Sequence, residues 1–518
     1  MKPKALMTAL AGTVSLLGAP VVLASYAFYV GGDLTESGHP MLGGSGEEVS
    51  SHWLEIVPAK QHGEGATISV GVTDAASMPG ERIDIPQVAR TFRYLTMNYS
   101  DFEGFPAPLT NGGVNEHHVA VRDVWATNRD ELIAMTPEPQ TGVQYSDLAR
   151  LVLERARTAR EGVELIGELI EQHGYATYGG NTHLIADPNE AWVVWEFAGG
   201  QGLWAAERLE SDEVRVLYPG YIETFPRDFA ERDDVMGADH LVDFAVEQGW
   251  FDPDSEGEFN VFAVYGPQGG EQQARTGGYK YMTQAQLEEA TREMAPISER
   301  DLMTRLRDPR ITDDAAGYGQ LITLDDEVPA ELIRMWVAPT GSIAAPFLPW
   351  WLGVEEVPMA FGQHRYLTTG ASASFLNPDY QQQEATYFAG RRFKQVMYWM
   401  CADPERYLAQ ITPLLEGFEQ QSMDNMAWVE GSARTLLARG EREQATALLT
   451  HYAHTRAEDT MALGTTLVDW LEASTRLAGD IERPTGSSVN LTEGQVVHCL
   501  NGFDPDRPAP ARSGDADR

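Results

Sequence analysis

The stretch from Lys2 to Gly31 constrains this chain more than any other part of it. Lys2 and Lys4 give a positive start, an apolar run extends from Ala5 to Ala24, and Val22-Leu23-Ala24 closes it with small or β-branched residues. This is the layout of a cleaved secretory signal. An uncleaved membrane anchor is the competing reading, but the run is barely long enough to span a bilayer and Pro20 breaks it. Cleavage after Ala24 would make Ser25-Tyr26-Ala27-Phe28-Tyr29-Val30-Gly31 the opening of the mature chain. This is a β-prone run closed by a Gly-Gly turn. A terminus threaded into a sheet is held in place, whereas most chain ends are mobile.

Charge narrows the function classes. Lys and Arg number 38 against 77 Asp and Glu, a formal net charge of -39 spread along the chain. Such a surface is solvated and self-repelling, as in a secreted protein or one from a saline habitat. No basic stripe exists to displace phosphate counterions, so nucleic acid is not an expected partner. Cys401 and Cys499 are too few for a disulfide framework and have no metal-ligand spacing partner. One bridge and two separate thiols both stay open. No other segment is long and apolar enough to span a bilayer, so no membrane association is expected once the signal is removed.

Further strands are expected at Leu54–Pro58 and Ala66–Val70, with β-rich character continuing at Val114–Val121 and Leu132-Ile133-Ala134. The period then changes. Ser146 is expected to cap one long helix with apolar positions Leu148, Leu151, Val152, Val163, Ile166 and Ile170, ended by Gly174. Strands resume at Thr182–Ala186 and Ala191–Phe197, joined by the turn Asp187-Pro188-Asn189-Glu190. Leu332–Ala338 reads as another strand, helices dominate from Gln383 to about Leu477, and the Pro-, Ala- and Asp-rich tail from Asp504 reads as disordered. Antiparallel-type strands and helices without regular βαβ alternation favour an α+β layered fold over a doubly wound parallel sheet.

The chemistry follows from the new terminus. A free α-amine on Ser25 has an ordinary pKa of about 7.7–8.0, so much of it is neutral at working pH. It can take the hydroxyl proton of the same residue directly or through one water, making nucleophile and base a single residue. The plainer reading is that Ser25 is merely the first residue of a mature chain.

Three groups of residues carry a family resemblance. One is Ser25–Gly31, followed by Gly43-Gly44-Ser45-Gly46-Glu47-Glu48 and Ser50–Pro58. The second is Gly112-Gly113-Val114-Asn115-Glu116-His117, with Glu154–Glu161. The third is Gly179-Gly180-Asn181-Thr182-His183-Leu184-Ile185-Ala186-Asp187 through Trp192. Weaker similarity runs through Tyr218–Ile222 and Pro346–Pro358. In these the chain resembles the dipeptidase A family of N-terminal-nucleophile hydrolases, related to secernins and to penicillin V acylases and bile salt hydrolases. The family usually has Cys where Ser25 stands. A natural serine enzyme, a Cys-to-Ser replacement and a degenerate site are three accounts of that departure.

The resemblance implies an αββα sandwich, two antiparallel sheets stacked between helical layers, spanning residues 25–380. It further implies a helical region at 381–480 and a tail at 481–518, after a signal at 1–24. It implies Ser25 as nucleophile, Asn181 and Asn115 as oxyanion donors, and Glu47 as the carboxylate that orients the α-amine. Relatives carry Arg shortly before that carboxylate, where this chain has Gly44. Gly44, Gly180 and His117 are expected against the substrate, the glycines through close backbone approach or positive φ. Adjacent side chains on a strand face opposite ways, so His117 and His118 do not readily share one ion. One is expected to pack and the other to be solvated. No metal or organic cofactor is expected. The implied substrate is a dipeptide or other small amide. An acylase for a non-peptide amide, an inactive binding protein and a membrane-tethered form are the alternatives, and a homo-oligomer stays open.

Overall fold

The computed structural model describes residues 25–46, 52–100, 104–254, 257–268, 283–309, 311–312, 316–362 and 387–477. The expected signal segment, Glu47, Cys499 and the tail therefore lie outside the described residues.

Two antiparallel sheets dominate. The strands of the first are β1 (Tyr26–Val30), β2 (Met41–Gly46), β14 (Val214–Leu217), β18 (Tyr318–Thr323), β19 (Arg334–Ala338) and β20 (Leu348–Trp351), in the order β14-β1-β2-β18-β19-β20. The second holds β3 (His52–Val57), β8 (Tyr94–Tyr99), β9 (Leu109–Asn115), β10 (Ala120–Trp125), β11 (Asn181–Ala186), β12 (Ala191–Glu196), β13 (Trp204–Leu209) and β16 (Val235–Gly237). Its order is β16-β13-β12-β11-β10-β9-β8-β3. Short ribbons pair β4 (Lys60–Gln61) with β7 (Arg90–Thr91), β5 (Thr67–Val70) with β6 (Ile83–Pro86), and β15 (Thr224–Phe225) with β17 (Phe259–Asn260).

Side-chain alternation makes β1 and β2 two-faced. Ala27, Tyr29 and Leu42 join the large core that also holds Leu54, Val124 and Leu184 of the eight-stranded sheet. Tyr26, Phe28, Val30 and Met41 instead pack with Leu302, Leu306, Phe393 and Met397, which come from helices. A strand buried on both faces reads as a continuous apolar run, which is how the sequence of β1 reads.

The helices are α1 (Asp130–Ile133), α2 (Tyr145–Arg155), α3 (Ala159–His173), α4 (Leu241–Glu247), α5 (Val261–Tyr265), α6 (Gln284–Arg292), α7 (Glu299–Leu306), α8 (Ala389–Met400), α9 (Pro404–Ala438) and α10 (Arg442–Leu477). α2 and α3 contact β9, β10, β11 and β12 of the second sheet, while α6 and α7 contact β14, β2 and β18 of the first. The fold is thus mixed α and β, with stacked antiparallel sheets, helices against them and a helical C-terminal region.

Two expectations are corrected. Leu132-Ile133-Ala134 does not extend a strand: Asp130–Ile133 is a helical turn. Asp130 and Glu131 in its first turn suit the positive end of a helix, and an apolar triplet is too short to set a period. The helix read over Ser146–Gly174 is two helices, broken at Ala156-Arg157-Thr158. Thr158 caps the second by accepting from the Glu161 amide at 3.1 Å. The cap of the first is Gln144, whose side chain accepts from the Ser146 amide at 2.7 Å. Ser146 itself accepts from the Thr110 amide at 2.5 Å, tying α2 to β9. Gly174 ends α3 with φ 85°, a conformation that only glycine adopts without strain. The Asp187–Glu190 turn forms as read: Asp187 Oδ1 accepts from the amides of Asn189 (2.7 Å) and Glu190 (3.0 Å).

Candidate active site

Ser25 immediately precedes β1 and is only 7% exposed. The alternation that turns Ala27 and Tyr29 inward puts Ser25 on the same face. Tyr26 pairs with Ser45 and Ala27 with Gly44, so the register continues to Gly46 opposite Ser25. Gly46 in turn pairs with Tyr318 of β18. On the other side Ala27 pairs with Leu217, so the register leads toward Pro219.

Gly44 lies where another side chain passes. A Cβ there would sit 2.2 Å from the Tyr26 carbonyl oxygen and 2.6 Å from Arg122 Nε. Arg122 belongs to β10 of the opposite sheet and is fully buried. Its Nε donates to the Tyr26 carbonyl at 3.5 Å and its Nη1 to the Asn111 carbonyl at 3.0 Å; Nη1 also donates to the Tyr318 hydroxyl. The guanidinium carbon is 4.9 Å from the centre of the Tyr318 ring, close enough for a cation–π attraction. Arg122 Nη2 makes no hydrogen bond among the described residues, and neither does either amide atom of the buried Gln320 beside it. Gln320 pairs with Gly44 and its Nε2 lies 3.0 Å from where a Gly112 Cβ would be, which places it at the same spot between the sheets.

Asn181 opens β11 at the same end of the molecule. The next residue, Thr182, donates to the Gly220 carbonyl at 2.5 Å, so the segment after β14 bridges from Ser25's register to β11. Asn181 is fully buried; its Oδ1 accepts from the Tyr178 hydroxyl at 3.1 Å and its Nδ2 has no hydrogen-bond partner among the described residues. Aromatic rings surround this corner. Tyr178 meets Tyr145 and Phe105 with centroids 5.3 and 5.6 Å apart, and His52 stacks on Tyr99 at 5.4 Å and tilts on Tyr318 at 5.0 Å. Gly180 has φ +120°, and a Cβ there would lie 2.5 Å from the Ala126 carbonyl oxygen and 2.6 Å from Asn128 Oδ1. Only glycine fits that approach.

Asn115 sits elsewhere. It is four residues along β9 from Asn111, about 13 Å at strand rise. Its Nδ2 donates to the carbonyls of Leu153 (3.1 Å) and Ala156 (2.8 Å), its Oδ1 accepts from the amides of His117 (2.9 Å) and Val119 (3.1 Å), and its own amide donates to Val119. Every donor it owns is engaged in its turn and in α2, and the structure does not bring it to Ser25. His117 is also in that turn, its ring edge-on to Phe92 at 4.3 Å, and burial lowers its pKa. Gly44 thus lies opposite Ala27, two residues along β1 from Ser25, and Gly180 closes on Ala126 and Asn128 just before Asn181, whereas Asn115 and His117 are committed to their own turn.

Sequence reasoning missed Arg122, Gln320 and a second buried polar group on the helix-facing side of the second sheet. There His183 Nδ1 meets Glu196 Oε1 at 2.7 Å and its Nε2 meets the Tyr145 carbonyl at 3.0 Å, all buried. Both ring nitrogens face acceptors. Burial opposes the imidazolium, but Glu196 outweighs it and raises the His183 pKa. The available signal was Arg122-Asp123 in the middle of an apolar strand, where one charge faces each side.

Among the described residues, His39, Asp325 and Asp326 form one group whose metal-type ligand atoms lie within 4.8 Å of one another. It adjoins the start of β2, at the end of that strand away from Gly44–Gly46. No described helix is long and apolar enough to cross a membrane. Cys401 is disulfide-bonded.

Residues 79–301 match the model of peptidase family C69. A probable dipeptidase B of Lactococcus lactis is 31% identical over 158 residues, 30% of this chain and 32% of the relative. A probable dipeptidase of Salmonella dublin is 28% identical over 264 residues, 49% of this chain and 56% of the relative. The chain thus spans between a third and a little over half the length of these curated relatives. A solved structure of a mutant conjugated bile acid hydrolase from Clostridium perfringens aligns with a TM-score of 0.30 at 11% identity, over 61% of this chain and 89% of that one. Over residues 79–301, then, this chain matches peptidase family C69, and the resemblance to dipeptidases that its sequence carries holds.

Proposed function

We propose that the chain is an amide hydrolase of the dipeptidase type that uses Ser25, exposed as the mature N-terminus, as both nucleophile and base. The observation that carries the reading is the seat of Ser25: buried, at the head of a central strand, on the face turned to the second sheet. An αββα sandwich is the layered form of such a hydrolase, and the two stacked sheets with helices against each are consistent with it.

In this reading the Ser25 hydroxyl attacks the scissile carbonyl while its α-amine accepts the proton, directly or through one water. The carbonyl oxygen becomes an oxyanion, and Asn181 Nδ2, buried and otherwise unengaged among the described residues, is the donor suited to it. Collapse of the tetrahedral adduct breaks the C–N bond, and the protonated amine returns its proton to the leaving amine. Water then hydrolyses the acyl-Ser25 ester by the same route. The rings of Phe105, Tyr145 and Tyr178 supply an apolar wall for a substrate side chain. Glu47 keeps its proposed part in orienting the amine. A dipeptide or other small amide is the proposed substrate, by likeness to the dipeptidase relatives.

Export is proposed with it. The charge, apolar run and small-residue exit at the N-terminus support a secretory route, and a disulfide at Cys401 suits an oxidising compartment.

N-terminal sequencing of the exported protein, with turnover of a dipeptide panel and of N-acyl amines, tests the reading. The chain is expected to begin at Ser25, to cleave dipeptides, and to lose at least ~10³-fold in kcat on Ser25→Ala. A working enzyme that retains residues before Ser25, or a Ser25→Ala variant with unchanged turnover, sinks it.

A further inference from the structure

We propose that Arg122 is a positioning residue for the nucleophile, holding the main chain next to Ser25 and keeping the Ser25 α-amine in its neutral, proton-accepting form. The inference rests on the reading of Ser25 as an N-terminal nucleophile and adds to it what sets the basicity of its amine.

The geometry comes first. Arg122 crosses from the second sheet to the first through the slot that Gly44 leaves open. Its Nε–H reaches the carbonyl of Tyr26, the residue peptide-bonded to Ser25, at 3.5 Å. The guanidinium therefore lies within about 10 Å of the α-amine by backbone dimensions alone. Its other contacts, the Asn111 carbonyl and the Tyr318 hydroxyl, tie the same corner to β9 and β18.

The charge comes second. Arg122 is fully buried, and among the described residues its hydrogen-bond acceptors are two carbonyls and a phenol, with no carboxylate. Nη2 has no partner among the described residues. A guanidinium cannot shed its charge, and burying one without an anionic partner is costly. Buried away from solvent, its field is little screened and acts on whatever lies nearby. An α-amine under that field is harder to protonate, so its pKa falls. Tyr318 on β18, His52 on β3, Tyr99 on β8, Tyr26 itself and Tyr218 after β14 are titratable groups at this corner among the described residues. Glu47, proposed to orient the amine, lies outside them and would push the amine pKa up, a pull that Arg122 outweighs in this proposal.

The test uses the full processed protein with the wild-type residue, Arg122→Gln and Arg122→Lys. The α-amine is titrated by its rate of acylation with a small anhydride as a function of pH, read on the N-terminal peptide by mass spectrometry. The pH profile of kcat/KM for a dipeptide is measured in parallel. The wild-type amine is expected to titrate below the ordinary range of about 7.7–8.0. Arg122→Gln should move both its midpoint and the acid limb of kcat/KM up by about one pH unit, and Arg122→Lys should restore most of that shift. A merely structural residue would change stability or KM without moving the limb. A wild-type amine at or above the ordinary range overturns the inference without any variant having to fold. So does an Arg122→Gln midpoint equal to the wild type. If the N-terminal peptide starts elsewhere than Ser25, the nucleophile reading fails and this inference with it. If it starts at Ser25 with an ordinary amine, only the role of Arg122 falls.

Discussion

Asn115 and Asn181 carry the same side chain and are both fully buried, yet their surroundings give them different work. Both Asn115 amide hydrogens go to carbonyls of Leu153 and Ala156. Replacing it with Ala leaves those carbonyls and two backbone amides unanswered, which should cost about 2–4 kcal/mol in stability. Urea unfolding would measure the loss, while kcat of the remaining folded enzyme should stay near wild type. Asn181 is the reverse case, since its Nδ2 serves no described structural partner. Asn181→Ala is expected to lower kcat by about 10²–10³-fold with a small change in stability. If the two variants exchange these behaviours, the assignment of Asn181 to the oxyanion is lost.

At the scale of elements, the long C-terminal helices share apolar core with the sheet region, and a buried ion pair crosses the same junction. Glu419 on α9 accepts from both Arg307 nitrogens Nη1 and Nη2, just beyond α7, and from the Phe347 amide at 2.8 Å ahead of β20. Both charged groups are nearly inaccessible, with side chains 3% and 5% exposed. Such a pair is a weak source of net stability while intact, but removing one member strands the other. Glu419→Gln should therefore destabilise the protein by about 3–5 kcal/mol in chemical denaturation. Glu419→Met paired with Arg307→Met should cost much less, and similar losses for both would argue against the stranded charge as the cause. The α2–α3 break teaches a related lesson. The apolar period of Leu148–Ile170 continues across the gap because both helices cover the same sheet, so period alone hid the interruption and the Thr158 cap marked it.

For the whole molecule, charge sets the response to solution conditions. With a net charge of -39, the folded chain works against its own repulsion. Raising NaCl from 0.01 to 1 M shortens the Debye length from roughly 30 to 3 Å, and the Tm should rise with it. A Tm that falls steadily over that range would count against dominant repulsion. Acid acts on particular pairs as well. Burial alone would raise the Glu299 pKa, but Arg334, Thr323 and Trp336 hold it below the usual carboxylate value. A depressed folded pKa gives stability that is present above the ordinary carboxylate pKa and is lost as pH falls through the depressed value. Glu299 and Glu430 clasp Arg334 from α7 and α9, so this acid-sensitive point lies where helices meet β19. Glu299→Gln should lower stability by about 2–3 kcal/mol at neutral pH and by much less at pH 2, as read from denaturation midpoints at each pH.

The sequence by itself determined the two-faced apolar strand after Ala24, the antiparallel run at Thr182–Phe197 with its Asp187 turn, the helical C-terminal region and the family resemblance. Each of these is encoded by local period, turn chemistry or a contiguous motif. Tertiary structure alone decided which polar residues meet. Arg122 is distant in sequence from Tyr26, Gly44 and Tyr318, and only the stacking of one sheet on the other brings its guanidinium over Gly44 and to the Tyr26 carbonyl. Asn115, set within a recognisable motif, is committed to its own turn and α2 by contacts up to 41 residues away. Burial and partner geometry are properties of the packed whole, and no window of sequence contains them.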